Sequence, residues 1–262
     1  DFEKNDDLVK YILASRGICN DADVQKFLNP SIKEYMPDPF VLSDMESGAK
    51  IIADAIENHQ KIAVYGDYDV DGITSTAVFV KYLKSLNVDV IWHLPTREGE
   101  GYGLNNDAIA DIVDQGANLM ITVDCGISGV DEVLYARNAG LQVVVTDHHS
   151  PDVVLPDANA IINPKRVDDT SGLNYLAGVG VAFLTLVAVN RELKNRTLTP
   201  ELRNALESVN LMNYMDLVAL GTICDTMSLV GLNRAFVATG LKVMGLKQNL
   251  GLRVLMDVAG IK

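Results

Sequence analysis

The chain has 262 residues, 48% hydrophobic and 22% charged, with 22 Lys and Arg against 35 Asp and Glu and a formal net charge of −13. That length suits one large α/β domain or two smaller ones with a sizeable core, and no apolar run reaches the roughly 18 residues of a membrane span. The acidic opening DFEKNDDLVK is not a signal peptide. Three scattered cysteines, Cys19, Cys125 and Cys224, lack CxxC spacing, so reduced thiols and a cytoplasmic setting are expected. The negative charge counts against nucleic acid, but bound divalent cations invert the sign of a carboxylate-lined site, and both readings stay open.

In chain order, DDLVKYILASRG spaces Leu8, Val9, Ile12 and Leu13 as a helix stopped at Gly17. Asn20-Asp21 caps a short helix through Phe27-Leu28 that ends at Pro30, and Pro37 to Pro39 is a loop. Ser43 or Asp44 starts a helix through Ile56, which completes a helical N-terminal segment over 1–58. The rhythm then changes. KIAVYGD is a strand, Thr74 to Leu86 a helix, VDVIWHLP a strand, and 97–103 a glycine-rich loop. Asn105 to Asp114 is a helix, NLMITVD a strand, Val130 to Ala139 a helix and LQVVVTD a strand, with ANAIINP adding one more. Helices over Gly180–Arg191, Pro200–Val209, Met212–Cys224 and Asn233–Met244 complete a largely helical C-terminal part. Continuous apolar strands alternating with helices specify an α/β fold, a parallel β-sheet with helices on both faces.

The polar residues share an address on that map. Asp67, Asp69 and Asp71 follow the first strand, Asp124 ends LMITVD, and Asp147, His148 and His149 end VVVTD. Ligands of open α/β sheets gather at the carboxyl ends of strands, so one edge receives all seven, with Asp225 at the end of LVALGTICD a further contributor. Each has a plainer reading. An aspartate after a strand caps helices, adjacent histidines form polar turns, and Asp225 closes a helix, though its charge opposes the dipole there. No local rule requires their convergence. Oxygen and imidazole ligands without paired cysteines suit Mn²⁺, Mg²⁺ or Zn²⁺, and two ions about 3.5–4 Å apart serve in-line displacement at phosphorus. Arg97, among Gly99, Gly101 and Gly103, is either a bidentate phosphate grip or a surface arginine. Gly178 and Gly180 open a helix whose amides suit an anion, or they allow close helix packing. Cys125 and Cys224 read as small buried fillers.

The blocks GDYDVDG, TVDCG, TDHH and ALGTICD, in that order, resemble the signature of the DHH phosphoesterase family. FLNPS, DPF, EGYGLN, INP and LAGVGVAF extend the resemblance to its RecJ branch, from about Leu8 to about Gly245. The resemblance implies a 5′→3′ exonuclease that degrades single-stranded DNA to mononucleotides with Mn²⁺ or Mg²⁺, in DNA repair and recombination. Its expected partner is the 5′ end of single-stranded DNA, with single-strand-binding protein and a helicase as further candidates and no membrane. By motif position it implies catalytic roles for Asp71, Asp124, His148 and His149, and metal ligation by Asp67, Asp69, Asp71, Asp124, His148 and Asp225. Asp124 would bridge two ions, one shared with Asp71, His148 and Asp225, the other with Asp67 and Asp69. His149 would meet the scissile phosphate or contribute to a metal, Asp147 would support the histidines, and Arg97, Asn163, Gly178 and Gly180 would hold substrate phosphates.

The resemblance places a DHH phosphoesterase domain over 59–262, with an inter-domain helix starting near 246–262. The chain lacks the GGGH-type block of the family's second domain, so a fragment or a reduced homologue without that domain and its oligonucleotide-binding fold is expected. Alternative readings are a phosphoesterase for oligoribonucleotides, cyclic dinucleotides or pyrophosphate, and a non-catalytic scaffold, against which the complete Asp and His set argues.

Overall fold

The computed structural model describes residues 6–96, 99 and 101–261. Its sheet has five parallel strands in the order β2-β1-β3-β4-β5, formed by β1 (Ile62–Gly66), β2 (Val90–His93), β3 (Leu119–Val123), β4 (Gln142–Thr146) and β5 (Ala160–Ile162). The strands are apolar on both faces because both are covered. Ile62, Val64, Leu119, Ile121 and Val144 join one buried cluster, while Ala63, Tyr65, Met120, Val143 and Val145 join the other.

The first face carries α4 (Met45–Glu57), α5 (Val70–Ser85) and α8 (Gly178–Lys194), backed by α10 (Met215–Cys224) and α11 (Gly231–Gly245). The second carries α6 (Asn106–Asp114) and α7 (Val130–Asn138). Helices α1 (Asp6–Ala14), α2 (Asp21–Leu28) and α3 (Ile32–Tyr35) precede α4, while α9 (Pro200–Ser208) and α12 (Leu250–Val258) occupy the C-terminal part. Among the described residues no helix is long and apolar enough to cross a membrane.

Two helices begin earlier than their sequence suggests, and both starts matter. The Asp69 side chain accepts a hydrogen bond from the Gly72 amide (2.9 Å), so α5 starts at Val70 rather than Thr74 and Asp71 falls in its first turn. Helix α8 starts at Gly178 rather than Gly180 with no side-chain cap of its own. At α4 the start at Asp44 is as expected, but the carboxylate caps nothing. It accepts from the Ile161 amide (3.1 Å) and pairs with Arg166 (2.5 Å), which also donates to the Ile161 carbonyl (2.6 Å). The N-terminal segment is thereby tied to β5. Ile52, Ala53, Ala55 and Ile56 of α4 are buried in the main core, so this helix is integral to the sheet's cover.

Helices α10 and α11 approach closely at Gly240, where a methyl group would run into the Met215 carbonyl and the Ala219 side chain. Backbone cannot yield as a side-chain tip does. Gly240→Ala is expected to destabilise the fold by roughly 1–3 kcal/mol, read as a lower urea midpoint; an unchanged midpoint contradicts that close packing.

Candidate active site

The sheet register builds the floor of the site. Gly66 pairs with Val123, Val123 with Thr146, and Thr146 with Ile162. The next residue of each strand is polar, so Asp67, Asp124, Asp147 and Asn163 leave the carboxyl edge as one row, all buried. Asp124 has a left-handed backbone (φ 62°), and Gly126 follows in the same region (φ 103°). This tight turn is held by Thr122, whose hydroxyl donates to the Cys125 carbonyl (2.8 Å). A non-glycine residue held in that region marks a position where the surroundings outweigh backbone strain.

Helix α8 supplies the opposite wall. The Gly178 amide donates to Asp71 Oδ2 (2.7 Å) and the Val179 amide to Asp71 Oδ1 (2.9 Å). A helix start stabilises a carboxylate in this way through orphan amides and dipole together. The approach needs glycine. A methyl group at Gly178 would overlap Asp124 Oδ1, and one at Gly221 would overlap the Thr74 hydroxyl.

Into the space between these walls point side-chain atoms that no described residue satisfies. Asp67 Oδ1, Asp124 Oδ1, His148 Nε2 and Asp225 Oδ2 are all inaccessible to solvent and lack a hydrogen-bond partner. His148 Nδ1 lies 3.0 Å from the Leu176 carbonyl. A carbonyl only accepts, so Nδ1 carries the proton and the neutral ring presents a bare lone pair at Nε2. That lone pair sits 3.2 Å from Asp124 Oδ1, 3.5 Å from Asp225 Oδ2 and 3.8 Å from Asp71 Oδ2.

Electron pairs so arranged repel one another, and a divalent cation between them turns the repulsion into ligation. Three sets each place their ligand atoms within 4.8 Å of one another: Asp71, His148 and Asp225; Asp67, Asp69 and Asp124; and Asp124, His148 and His149. Asp124 is common to two of them. The mixed O and N donors fit Mn²⁺ or Mg²⁺.

The titration shifts have the same origin. Burial pushes the Asp71 carboxyl up to about 7, with Asp225 and Asp69 adding repulsion. Burial and then Asp71 raise Asp124 well above the usual carboxylate range, and burial likewise raises Asp67 and Asp225. Burial and the neighbouring His149 push His148 down to about 4, which keeps the ring neutral. Each of these carboxylates resists charge until a cation compensates it, while His148 stays neutral and free to ligate.

Asp147 behaves differently. Burial opposes its ionisation, yet the hydrogen bond and charge of His149 hold its carboxyl below the usual range. Its Oδ1 accepts from the amides of His148 (2.7 Å) and His149 (3.0 Å) and faces His149 Nδ1 at 2.8 Å, while Oδ2 accepts from the Ile127 amide (3.0 Å). Asp147 therefore sits beneath both histidines rather than in a cation set. The bond to Asp147 raises the His149 pKa, and the side chain is 39% exposed.

Two expectations need correction. The Gly178–Gly180 start is not an open phosphate cradle, because the Gly178 and Val179 amides are engaged by Asp71 and the Gly180 amide by the Ala177 carbonyl (3.0 Å). Asn163 is fully buried with both ends engaged, donating to the His149 carbonyl (2.9 Å) and accepting from the Lys165 amide (2.8 Å). It holds the histidine loop instead of facing a phosphate. Arg97 lies outside the described residues. Cys125 is buried as expected, but Cys224 is exposed. Sequence reasoning also missed Lys165, whose charge reaches His148, His149 and Asp225; its only signal was its place one residue after Asn163-Pro164.

Comparison with known proteins agrees with this geometry. Residues 61–222 match the DHH family, N-terminal domain. The chain is 38% identical over 253 residues to the single-stranded-DNA-specific exonuclease RecJ of Bacillus subtilis, covering 97% of this chain and 30% of that protein. It is 37% identical over 254 residues to the Escherichia coli protein of the same name, covering 96% and 43%. The chain thus spans less than half the length of these curated relatives. Among solved structures, exonuclease RecJ bound to manganese superposes with a TM-score of 0.71 at 35% identity, covering 84% of this chain and 52% of that one. RecJ with Mg²⁺ from Thermus thermophilus gives 0.62 at 28% identity, covering 95% and 30%.

Protons and cations compete for the same carboxylates, which fixes a sign. Asp71 binds its proton more tightly folded than unfolded, so in the metal-free protein it lowers stability as pH rises from about 4 to about 7. A bound cation returns that stability. Mn²⁺ at about a hundredfold above its Kd should stabilise by about 2.7 kcal/mol, and the thermal shift should be larger at pH 8 than at pH 5.5. Equal shifts would contradict the cage. Gly178→Ala, which crowds Asp124, should weaken Mn²⁺ binding in calorimetry by about tenfold or more; unchanged affinity would show that the wall yields freely.

Proposed function

The chain belongs to the DHH family, and on that premise we propose that it is the catalytic domain of a metal-dependent phosphodiesterase that degrades single-stranded DNA from a 5′ end, with Mn²⁺ or Mg²⁺ as cofactor. The observation that carries this reading is the set of buried, unpartnered ligand atoms around His148 Nε2, converging from three strand ends and two helices. Likeness over nearly the whole chain to single-stranded-DNA-specific exonucleases supports the substrate class.

Two divalent cations in such a cage supply the Lewis acidity that in-line hydrolysis of a phosphodiester requires. Asp71, His148 and Asp225 would hold one, Asp67 and Asp69 the other, with Asp124 available to both sets. The clamp from α8 fixes the Asp71 carboxylate before any ion arrives, and the Leu176 carbonyl fixes the His148 tautomer. Preorganisation of this kind removes reorganisation from the reaction step. Asp147 raises the proton affinity of His149, and His149 in its protonated form would offer Nε2–H to a phosphate oxygen. Lys165 adds positive charge on the same side, and Arg97 grips a substrate phosphate. Repair and recombination of DNA in the cytoplasm, alongside single-strand-binding protein and a helicase, is the setting this activity suits.

Incubation of 5′-labelled single-stranded DNA with the protein and Mn²⁺ should release mononucleotides. Turnover confined to a cyclic dinucleotide, an oligoribonucleotide or pyrophosphate would overturn the substrate. Asp124→Asn should reduce turnover by more than the roughly 10- to 100-fold that outer partners of a metal site are worth, with the circular dichroism spectrum retained. Near-normal hydrolysis by that variant would remove Asp124 from its central role.

A further inference from the structure

The block FLNPS has no part in the cage. Its residues 28–31, with Lys33 of α3, form one wall of a cavity of about 710 Å³, and Ala238, Thr239 and Lys242 of α11 form another. We infer that this cavity binds a free nucleotide through its phosphate, at a site separate from the cage. The inference goes beyond the hydrolytic reading and does not depend on it.

Charge carries it furthest. The chain has a net charge of −13, yet no carboxylate lines this cavity and two lysines do. Neither Lys33 nor Lys242 makes an ion pair or hydrogen bond with a described residue. Like charges brought to one hollow repel each other, and an anion between them turns the repulsion into attraction. Lysine meets a phosphate as a point charge, without demanding one fixed geometry. Ser31 and Thr239 add hydroxyl groups. Ser31 precedes α3 without capping it, so its hydroxyl is left for a ligand.

The walls are set in advance. The Phe27 carbonyl accepts from Arg234 Nε of α11 (2.6 Å), and the guanidinium lies over the Phe27 ring, 3.6 Å from its centroid. Beyond the loop, Ile32 and Tyr35 pack against the main core. With both ends of the segment tied down, little ordering is left for binding to supply. Leu28 and Met212, 46% and 38% exposed, leave apolar surface on the lining, which suits a base and sugar rather than a bare anion. The volume falls in the range of roughly 300–1,000 Å³ typical of small-molecule sites.

Position separates this hollow from the cage. The start of α11 reaches the cage through Asn233 Nδ2, which donates to the Tyr175 carbonyl (2.6 Å), beside the Leu176 carbonyl that faces His148. From Asn233 to Lys242 the helix advances roughly 14 Å.

Calorimetry with deoxyadenosine 5′-monophosphate, run with Mg²⁺ and again with EDTA, tests this. A site built from lysines needs no ion, so binding should persist in EDTA. Lys33→Gln and Lys242→Gln should each weaken it by about fivefold, the upper end of what an exposed charge pair contributes, and the double variant by more. With Mg²⁺ present the double variant should bind one nucleotide fewer than the wild type, which keeps the test decisive if EDTA unfolds the protein. Deoxyadenosine, which lacks the phosphate, should bind the wild type more weakly by about the same factor as a lysine is worth. Hydrolysis of single-stranded DNA should be equal in the wild type and the variants, because neither lysine lines the cage. Absence of binding in EDTA with an unchanged circular dichroism spectrum, or an affinity unaffected by both substitutions, would overturn the site. So would oligodeoxythymidylate binding where the mononucleotide does not, or a raised KM for DNA in the variants, since either result puts the lysines on the path of a strand.

Discussion

One carboxylate joins the two halves of this molecule. Asp71, in the first turn of α5, takes both its hydrogen bonds from amides at the start of α8, 107 and 108 residues further along. The contact closes α8 over the carboxyl edge of the sheet and fixes the direction of a ligand. It also explains why the neighbouring residues are small. Gly178 leaves room for Asp124, and Gly221 for Thr74 and Asp71. A longer side chain at either place would separate the helices from the strand ends, and the ligands on the two sides would no longer reach a common point.

Around that contact the electrostatics are arranged in opposition. Asp147 receives three amide donors and a histidine, so it remains ionised where it is buried. Asp67, Asp124 and Asp225 each keep an oxygen without a partner among the described residues, and burial raises their affinity for protons. A fold retains unsatisfied buried charge only where something outside the chain completes it. The same division separates the histidines. His148 is neutral with its lone pair turned inward, while the bond to Asp147 raises the proton affinity of His149. Adjacent residues of one type take different roles because one leans on a backbone carbonyl and the other on a carboxylate.

Much of this was legible in the chain itself. Strand ends announced themselves as apolar runs breaking into aspartate, and the rule that open α/β sheets gather their ligands at carboxyl edges was enough to place Asp67, Asp124, Asp147 and His148 together. Helix starts were less legible. Asp69 caps α5 five residues before Thr74, where its pattern suggests a start, and α8 begins at Gly178 with no capping side chain. The glycines of α8 fitted either an anion site or tight packing. The anion proved to be the chain's own Asp71, a partner too distant in sequence for any local pattern to indicate. Asn163 misled for a related reason: a polar residue after a strand looks available until the loop it holds is known.

The sequence by itself determined the parallel α/β architecture and the set of residues brought to one edge, since period, apolar content and strand-end chemistry are local properties. Only the tertiary structure decided which of those residues face a shared cation and which stand behind them. Register did part of this, by setting Asp67, Asp124, Asp147 and Asn163 in one row. Hydrogen bonding did the rest, because Asp147 and Asn163 are satisfied within the protein while Asp67 and Asp124 each keep an oxygen without a partner among the described residues. Whether a buried carboxylate is a ligand depends on what remains unpaired after folding, and that is a property of contacts between distant segments.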